Sequence, residues 1–464
     1  MPVDIGAQLV SKLGSPDSKI PLAVKDAFNT GGYTYFSYNA GGSIECKDRF
    51  VDEVGTFAIW MGGIPAYKWL VDHTLFKKAN ISSAVDVRVA ENADYLKQAI
   101  KHAPSEQIKK ELLNAGSNLS KVKSLNIAKF GIAMVMTMLS YLGLTKLKQH
   151  MTKKNIEKEF DRQRNTSSIN NGTNIKYNNQ NVYVSSVFDE FNSINKRSFN
   201  NDGQKKSAQK SAHNPSFGSL KIVEEFMLNP VKNMILLDVG ISSERLIHSR
   251  TDGERKEYAI KEGSFLFFTY LADRLIKKGL DFCSKTFLNL PISLDAKFLS
   301  SDLSKNILNN KELQNQIKLF NLAFTKDTED KELYKFIFEN QDNIVVESAK
   351  KSGIIETIED NEGKLKIDTR KYIDTDKIKN LAKDLQIYIE KSEKFSDIDK
   401  YINNVRKLKV ISTGVMIGIC CLFLGYFVPK FMYQYRQKQQ DGNDNFHVRA
   451  KYEKELAERA GMKC

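Results

Sequence analysis

Two uncharged apolar runs dominate the pattern of hydrophobic and polar positions. Residues 410–428, VISTGVMIGICCLFLGYFV, contain 19 residues without a charge, ten of them Ile, Val, Leu or Phe. As a helix the run spans roughly 28 Å, close to a ~30 Å hydrocarbon layer. Arg406, Lys407 and Lys409 stand before it, and Pro429, Lys430 and Arg436 after it. This predicts a transmembrane helix with its flanks over 406–438. Residues 130–145 form the second run, 16 without charge, extendable over 127–147 if Lys129 reaches back to the interface. The competing expectation for each run is a buried helix of a soluble domain.

Two further apolar stretches carry interruptions. Residues 54–71 contain Gly62, Gly63 and Pro65, which should break or kink a helix. Residues 265–280 contain Asp273, Arg274, Lys277 and Lys278, too many charges for a spanning segment. Trp60, Trp69, Phe267 and Phe268 suit an interfacial helix, or equally an amphipathic core helix. Residues 354–368 alternate apolar and polar positions around Asn361 and Gly363, which predicts a β-hairpin. Helical spacing surrounds it over 311–348 and 375–405.

The expected organisation is mainly α, an integral membrane protein with about two transmembrane helices and a small α+β module. An N-terminal segment covers 1–20. A first unit, 21–150, ends in the apolar helix 127–147. An Asn/Ser/Lys-rich linker covers 151–219. The core of a second unit covers 220–301, the charged module 302–405, the transmembrane helix 406–438 and a polar tail with a short helix 439–464.

The two units match each other at a shift of 209 residues, where Pro21 meets Pro230 and Gly31 meets Gly240. Glu45, Lys47, Glu53, Lys68 and Asn80 meet Glu254, Lys256, Glu262, Lys277 and Asn289. This predicts an internal duplication, with the module inserted in the second copy. The apolar helices also share small residues. Gly414, Gly418, Cys421 and Gly425 lie along one helix face, and Ala133, Thr137 and Ser140 repeat the spacing. Such ridges let helices approach closely in lipid, so they are candidate packing sites for one another or for a second chain.

The formal charge is +14, from 70 Lys and Arg against 56 Asp and Glu. One basic group, Lys146 to Arg164, directly follows an apolar helix, where cations face anionic lipid. A second comprises Lys196, Arg197, Lys205, Lys206 and Lys210. Neither interleaves with stacking aromatics, which argues against nucleic acid as a partner. Basic residues flanking the two helices place region 146–409 in the cytoplasm. Five cysteines without a CxxC pair, and six histidines without metal spacing, offer no metal centre. No nucleotide loop or nucleophile elbow is present, and no cofactor is implied.

The shared segments ECKDRFVDEVG and ERKEYAIKEGS carry the candidate polar site: Glu45, Asp48 and Glu53 with Glu254, Glu257 and Glu262. Paired carboxylates there have the chemistry to move protons or hold a cation, against the plainer expectation of a solvated helix face. The sequence therefore favours a non-catalytic, membrane-anchored scaffold or interaction protein, with the bilayer and another protein or a second copy as partners. A transporter or channel component built on a duplicated unit is the alternative. A soluble basic protein that binds nucleic acid is a second alternative.

Overall fold

The computed structural model describes residues 5–14, 19–170, 230–325, 327–359 and 365–440, and single tail positions at 452, 455, 456, 458 and 459. Over these residues the chain is mainly helical, with one two-stranded antiparallel sheet. Helix α1 (Ile5–Gly14) leads into α2 (Lys19–Ala58), which turns sharply at Gly42, with φ 70° and ψ −158°. Only a residue without Cβ adopts this geometry readily. The helical path continues through a π-turn at Ile59–Gly63, α3 (Ile64–Val71) and a second π-turn at Asp72–Phe76. At Gly62, Gly63 and Pro65, where a break or kink is expected, the α-helix gives way to a π-turn and the helical path goes on. Pro65 falls in the first turn of α3, where a missing N–H costs little, and the turn before it widens.

Three short helices follow: α4 (Val87–Glu91), α5 (Ala93–Lys101) and α6 (Glu106–Ser117). Asp86, Asn92 and Ser105 cap them by accepting the backbone N–H groups of Arg88, Tyr95 and Ile108. Helix α7 (Leu119–Asn170) runs on into the segment expected as a linker. The remainder of that linker, 171–219, lies outside the described residues, as do the second basic group and most of the tail.

The second half begins with α8 (Pro230–Ile247) and α9 (Asp252–Leu266), then a π-turn at Phe267–Ala272, α10 (Asp273–Cys283) and a π-turn at Ser284–Leu288. Helices α11 (Ala296–Ser300), α12 (Asp302–Asn309), α13 (Lys311–Ala323), α14 (Asp330–Glu339) and α15 (Ile344–Lys351) precede the sheet. Strands β1 (Thr357–Glu359) and β2 (Leu365–Ile367) pair with Thr357 opposite Ile367, within the expected hairpin. Its turn, 360–364, is outside the described residues. Helix α16 (Thr375–Ser392) follows, then α17 (Ile398–Leu422), a π-turn at Phe423–Phe427 and α18 (Val428–Gln440).

Several local devices recur at the 209-residue spacing. Asn80 and Asn289 both take the left-handed conformation, with φ 54°. Asp86 and Asp295 both cap a helix by accepting the N–H two residues on. Asn92 and Ser301 both occupy N-cap positions. Thr251, which caps α9, falls opposite the turn at Gly42.

The fold has two parts. At one end, a single apolar core gathers Tyr95, Leu112 and Val122 from the first half with Phe298, Tyr334, Tyr388 and Val405 from the second. Tyr95 and Tyr334 meet edge to face, 4.7 Å between ring centroids. Region 302–405 thus shares its core with the first half and is not a separate packed body. Beyond this end extends a helical bundle. Helix α7 packs on α2, α3 and α8. Helix α17 and its continuation pack on α2, α9 and α10. Residues 119–162 and 398–436 are each long and apolar enough to cross a membrane. Only 22% of the apolar window in the first and 33% in the second is buried within the protein. Val135, Leu139, Val410, Ile411, Phe427 and Phe431 accordingly point outward.

The bundle closes most tightly where α2 crosses the π-turn at Phe423–Phe427. A Cβ built on Gly32 would lie 2.0 Å from the Gly425 carbonyl oxygen, whereas one on Gly31 meets nothing within 4 Å. Gly32→Ala should therefore lower the thermal unfolding midpoint in detergent, with a cost of about 1–3 kcal/mol from overpacking. Gly31→Ala should leave it unchanged or raise it, since alanine favours helix by roughly 1 kcal/mol.

Candidate functional site

Charged side chains fill the bundle interior at the end remote from the shared core. The turn at Gly42 and the cap at Thr251 send α2 and α9 into this region side by side. Residues at spacings of three and four on each helix therefore face the other. Arg49 reaches Glu257 at 2.6 Å, and the Lys261 ammonium lies 2.5 Å from the Glu53 carboxylate as an ion pair. Arg250 holds Asp48 at 3.1 Å and Glu254 at 2.6 Å. Arg245 pairs with Glu262 and lies 3.5 Å from Asp52. The helices that carry the two apolar runs supply the remaining cations just past those runs. Lys148 of α7 stands 3.7 Å from Asp52, and Arg436 of α18 pairs with Glu45 and, at 3.4 Å, with Glu257. The side chains of this network are nearly all below a tenth exposed.

Tyr258 sits at the centre. Arg49, Lys148, Arg245 and Lys261 lie 5.2–5.9 Å from its ring centroid. Its hydroxyl donates to Asp52 at 3.2 Å and meets the Lys148 ammonium at 2.5 Å. One aromatic ring thus collects cations whose counter-charges come from both halves.

Burial alone would push the acids up, because charge is poorly solvated there. At Glu254, Arg250 and Lys148 outweigh burial and hold the carboxyl at about 2. At Asp52, Arg245 and Lys148 likewise win and hold it well below the carboxylate range. At Glu257 burial prevails over Arg436 and Arg49, and the carboxyl sits above its ordinary value.

All six acids expected from the sequence to form a polar site, Glu45, Asp48, Glu53, Glu254, Glu257 and Glu262, enter this network. Glu53, Glu254, Glu257 and Glu262 are buried, and Glu45 and Asp48 are partly buried, so they do not form a solvated face. The pattern of acids does not point to the cations that match them: Arg245 and Arg250 on either side of the α8–α9 turn, Lys148 and Arg436 just past the apolar runs. A signal for the last two is present, since each is a basic residue at the edge of an apolar helix.

The small-residue ridges divide. Ala133 and Thr137 face inward, with the Thr137 hydroxyl bonded to the Ala133 carbonyl at 2.6 Å. Ser140 meets the Tyr67 hydroxyl at 2.5 Å, and Gly425 approaches the backbone of Phe28. Cys421 is buried. A Cβ added at Gly414 or Gly418 would meet nothing within 4 Å, so both positions face outward.

A cavity of about 30 Å³ lies inside the bundle between the halves, with room for about two waters. Asp26, Asn29, Glu53, Asp238 and Glu262 line it, with Arg245 and Lys261 as the cations and Trp60 and Tyr141 as aromatic walls. Carboxylates exceed cations there by two. Tyr270 donates to Asp238, whereas the Asn29 side-chain oxygen has no partner among the described residues although Asn29 is 2% exposed. Asp26, also buried, makes no ion pair within 4 Å among the described residues. Two wall positions recur at the 209-residue spacing, Asn29 with Asp238 and Glu53 with Glu262.

The architecture is a helical bundle with a charge-matched interior and a polar cavity between its halves. No family model, no curated protein and no solved structure matches the chain. Among the described residues no group of three or more His, Cys, Asp or Glu is placed to hold a metal ion.

The acid response of the network is testable at Glu254. A carboxyl whose folded value is below its unfolded value of 4.5 stabilises the protein above that value, and the contribution fades as pH falls toward 2. The loss amounts to roughly 3 kcal/mol. Stability in detergent should therefore fall between pH 5 and 2. Glu254→Gln should be less stable at pH 7 and show a flatter decline; an equal decline in both proteins would refute the assignment.

Proposed function

We propose that the chain is an integral membrane protein built from two copies of one helical unit, and that the polar cavity between the copies carries a small cation, as in a transporter or channel component. Residues 127–147 and 410–428 cross the bilayer in this reading, and the charged helices α2, α8 and α9 lie behind them, away from lipid. The duplication is supported by the recurring caps, left-handed asparagines and cavity residues at one spacing. The membrane assignment is supported by two long apolar helices whose outward faces are hydrophobic. Ionisable groups inside a membrane bundle are expensive and mark pathways or binding sites. Duplicated membrane proteins commonly place such a site at the interface of the repeats.

The observation that carries the reading is the cavity. Tyr141, within the apolar run 127–147, lines it, so in this reading it lies at the depth of the hydrocarbon. Four acids face two cations there, and burial pushes Asp26 and Asp238 up to about 7, so both exchange protons near neutral pH and attract a cation when ionised, while the Asn29 oxygen is an acceptor without a partner among the described residues. Helix 410–428 carries no charge, which by itself counts against transport. The charges lie on neighbouring helices instead, which removes that objection.

The scaffold reading keeps one specific support. The outward Gly414 and Gly418 leave a small-residue face open to another helix. Vesicle measurements separate the two. The full chain should resist alkaline carbonate extraction and, reconstituted, conduct or exchange a monovalent cation or protons. Asp26→Asn, which breaks no ion pair, should reduce that flux by about tenfold or more. Membrane retention without flux of any cation would overturn the transport reading and leave the scaffold.

A further inference from the structure

A second, larger cavity, about 470 Å³, opens where the bundle meets the shared core in the second half. Its walls come from α1, α10, α16 and α17. Leu13, Leu280, Ile292 and Met416 make much of the surface apolar. Arg274, Lys277 and Lys278 of α10 stand at the rim, at spacings of three and four that put them on one helix side.

Each acid lining this cavity makes one ion pair to a lysine outside it, although the second oxygen of Asp281 has no partner among the described residues. Asp273 pairs with Lys25, and Asp281 and Asp384 both pair with Lys285. Arg274, Lys277 and Lys278 make no ion pair within 4 Å among the described residues, which leaves three cations unmatched. Deeper in, the Lys409 ammonium donates to the Ile292 carbonyl at 2.7 Å.

Lys409 immediately precedes the apolar run 410–428, so the inner end of the cavity lies where that run begins, and Asp273, next to Arg274, meets Cys420 midway along it, so the α10 cations stand beside its first half. Exposed Leu271 and Leu275 on the outer side of this region, with Val410, Ile411 and Val415 on α17, continue outward from it. An apolar trough with a cationic rim at this depth matches a molecule with an anionic head and a hydrocarbon tail.

We propose that this cavity binds an anionic phospholipid, its phosphate head on Arg274, Lys277 and Lys278 and an acyl chain along the trough lined by Leu280 and Met416. The assignment rests on the membrane reading but not on cation transport. It adds a built lipid site to the general attraction that basic helix flanks have for anionic lipid.

The test uses the full chain purified in detergent and examined by native mass spectrometry with phosphatidylglycerol, with phosphatidylcholine of the same chains, and with inorganic phosphate. Phosphatidylglycerol should be retained in preference to phosphatidylcholine. The combined change Arg274→Ala, Lys277→Ala, Lys278→Ala should weaken it by about a hundredfold. Lys277→Glu alone should weaken it in the same direction, and Lys109→Ala on the distant α6 should not. Equal retention of the two lipids, or indifference to the triple change, would overturn the proposal. Displacement by millimolar inorganic phosphate would overturn the acyl-chain assignment and leave a plain anion site. Carbonate release of the full chain would defeat the membrane reading instead, and is scored separately from lipid selectivity in detergent.

Discussion

The bundle depends on charge matching in a place that water does not reach. Removing an ion from water costs several kcal/mol, and an ion pair recovers this only when its geometry and further hydrogen bonds are good. Arg49, Lys148, Arg245, Arg250, Lys261 and Arg436 are buried together with carboxylates from both halves. Each cation in this set has a carboxylate from another helix or an adjacent turn. The two halves therefore cannot separate without exposing unmatched charge. The network fixes how α2 and α9 lie beside each other, and that placement creates the cavity between them.

The cavity differs from the network around it. The network sets six cations against seven carboxylates, whereas the cavity has four acids against two cations and an Asn29 oxygen without a partner among the described residues. A structural ion-pair cluster would be expected to use Asp26 and the Asn29 oxygen, because idle polar groups in a buried site cost free energy. Their retention beside a polar void makes sense if a third party completes them. The proposed lipid site at the other end has the opposite sign, with cations left over at its rim. The two ends of the bundle thus differ in charge and in what each would accept.

Much of the fold is legible in the sequence. Uncharged runs mark the two long helices, turn chemistry marks the hairpin, and the 209-residue match aligns Asn80 with Asn289 and Asp86 with Asp295, which share conformation and capping. The interruption expected around Gly62, Gly63 and Pro65 takes the form of a π-turn at Ile59–Gly63, after which Pro65 sits in the first turn of α3. Segment 302–405 looks separate in sequence because charge and periodicity are local, whereas its core contacts with Tyr95 and Leu112 lie hundreds of residues away. The six acids of the polar site stand out as a repeated pattern. Their burial does not, since nothing in a local window shows that Arg436 will return to Glu45. Of the small-residue ridge, Cys421 and Gly425 meet other helices, whereas the face turns outward at Gly418 and Gly414.

The most direct test of a charge-matched interior is a double-mutant cycle on Arg49 and Glu257, the 2.6 Å pair that joins the two halves. Arg49→Met, Glu257→Gln and the double variant would be compared with the parent by reversible unfolding in detergent. Each single change should cost about 3–5 kcal/mol, because it strands a buried charge. The double change should cost much less than the two together, with a coupling above about 1.5 kcal/mol. Additive losses would mean that the two groups are separately solvated, and the interior on which the rest of the structure depends would not be charge-matched.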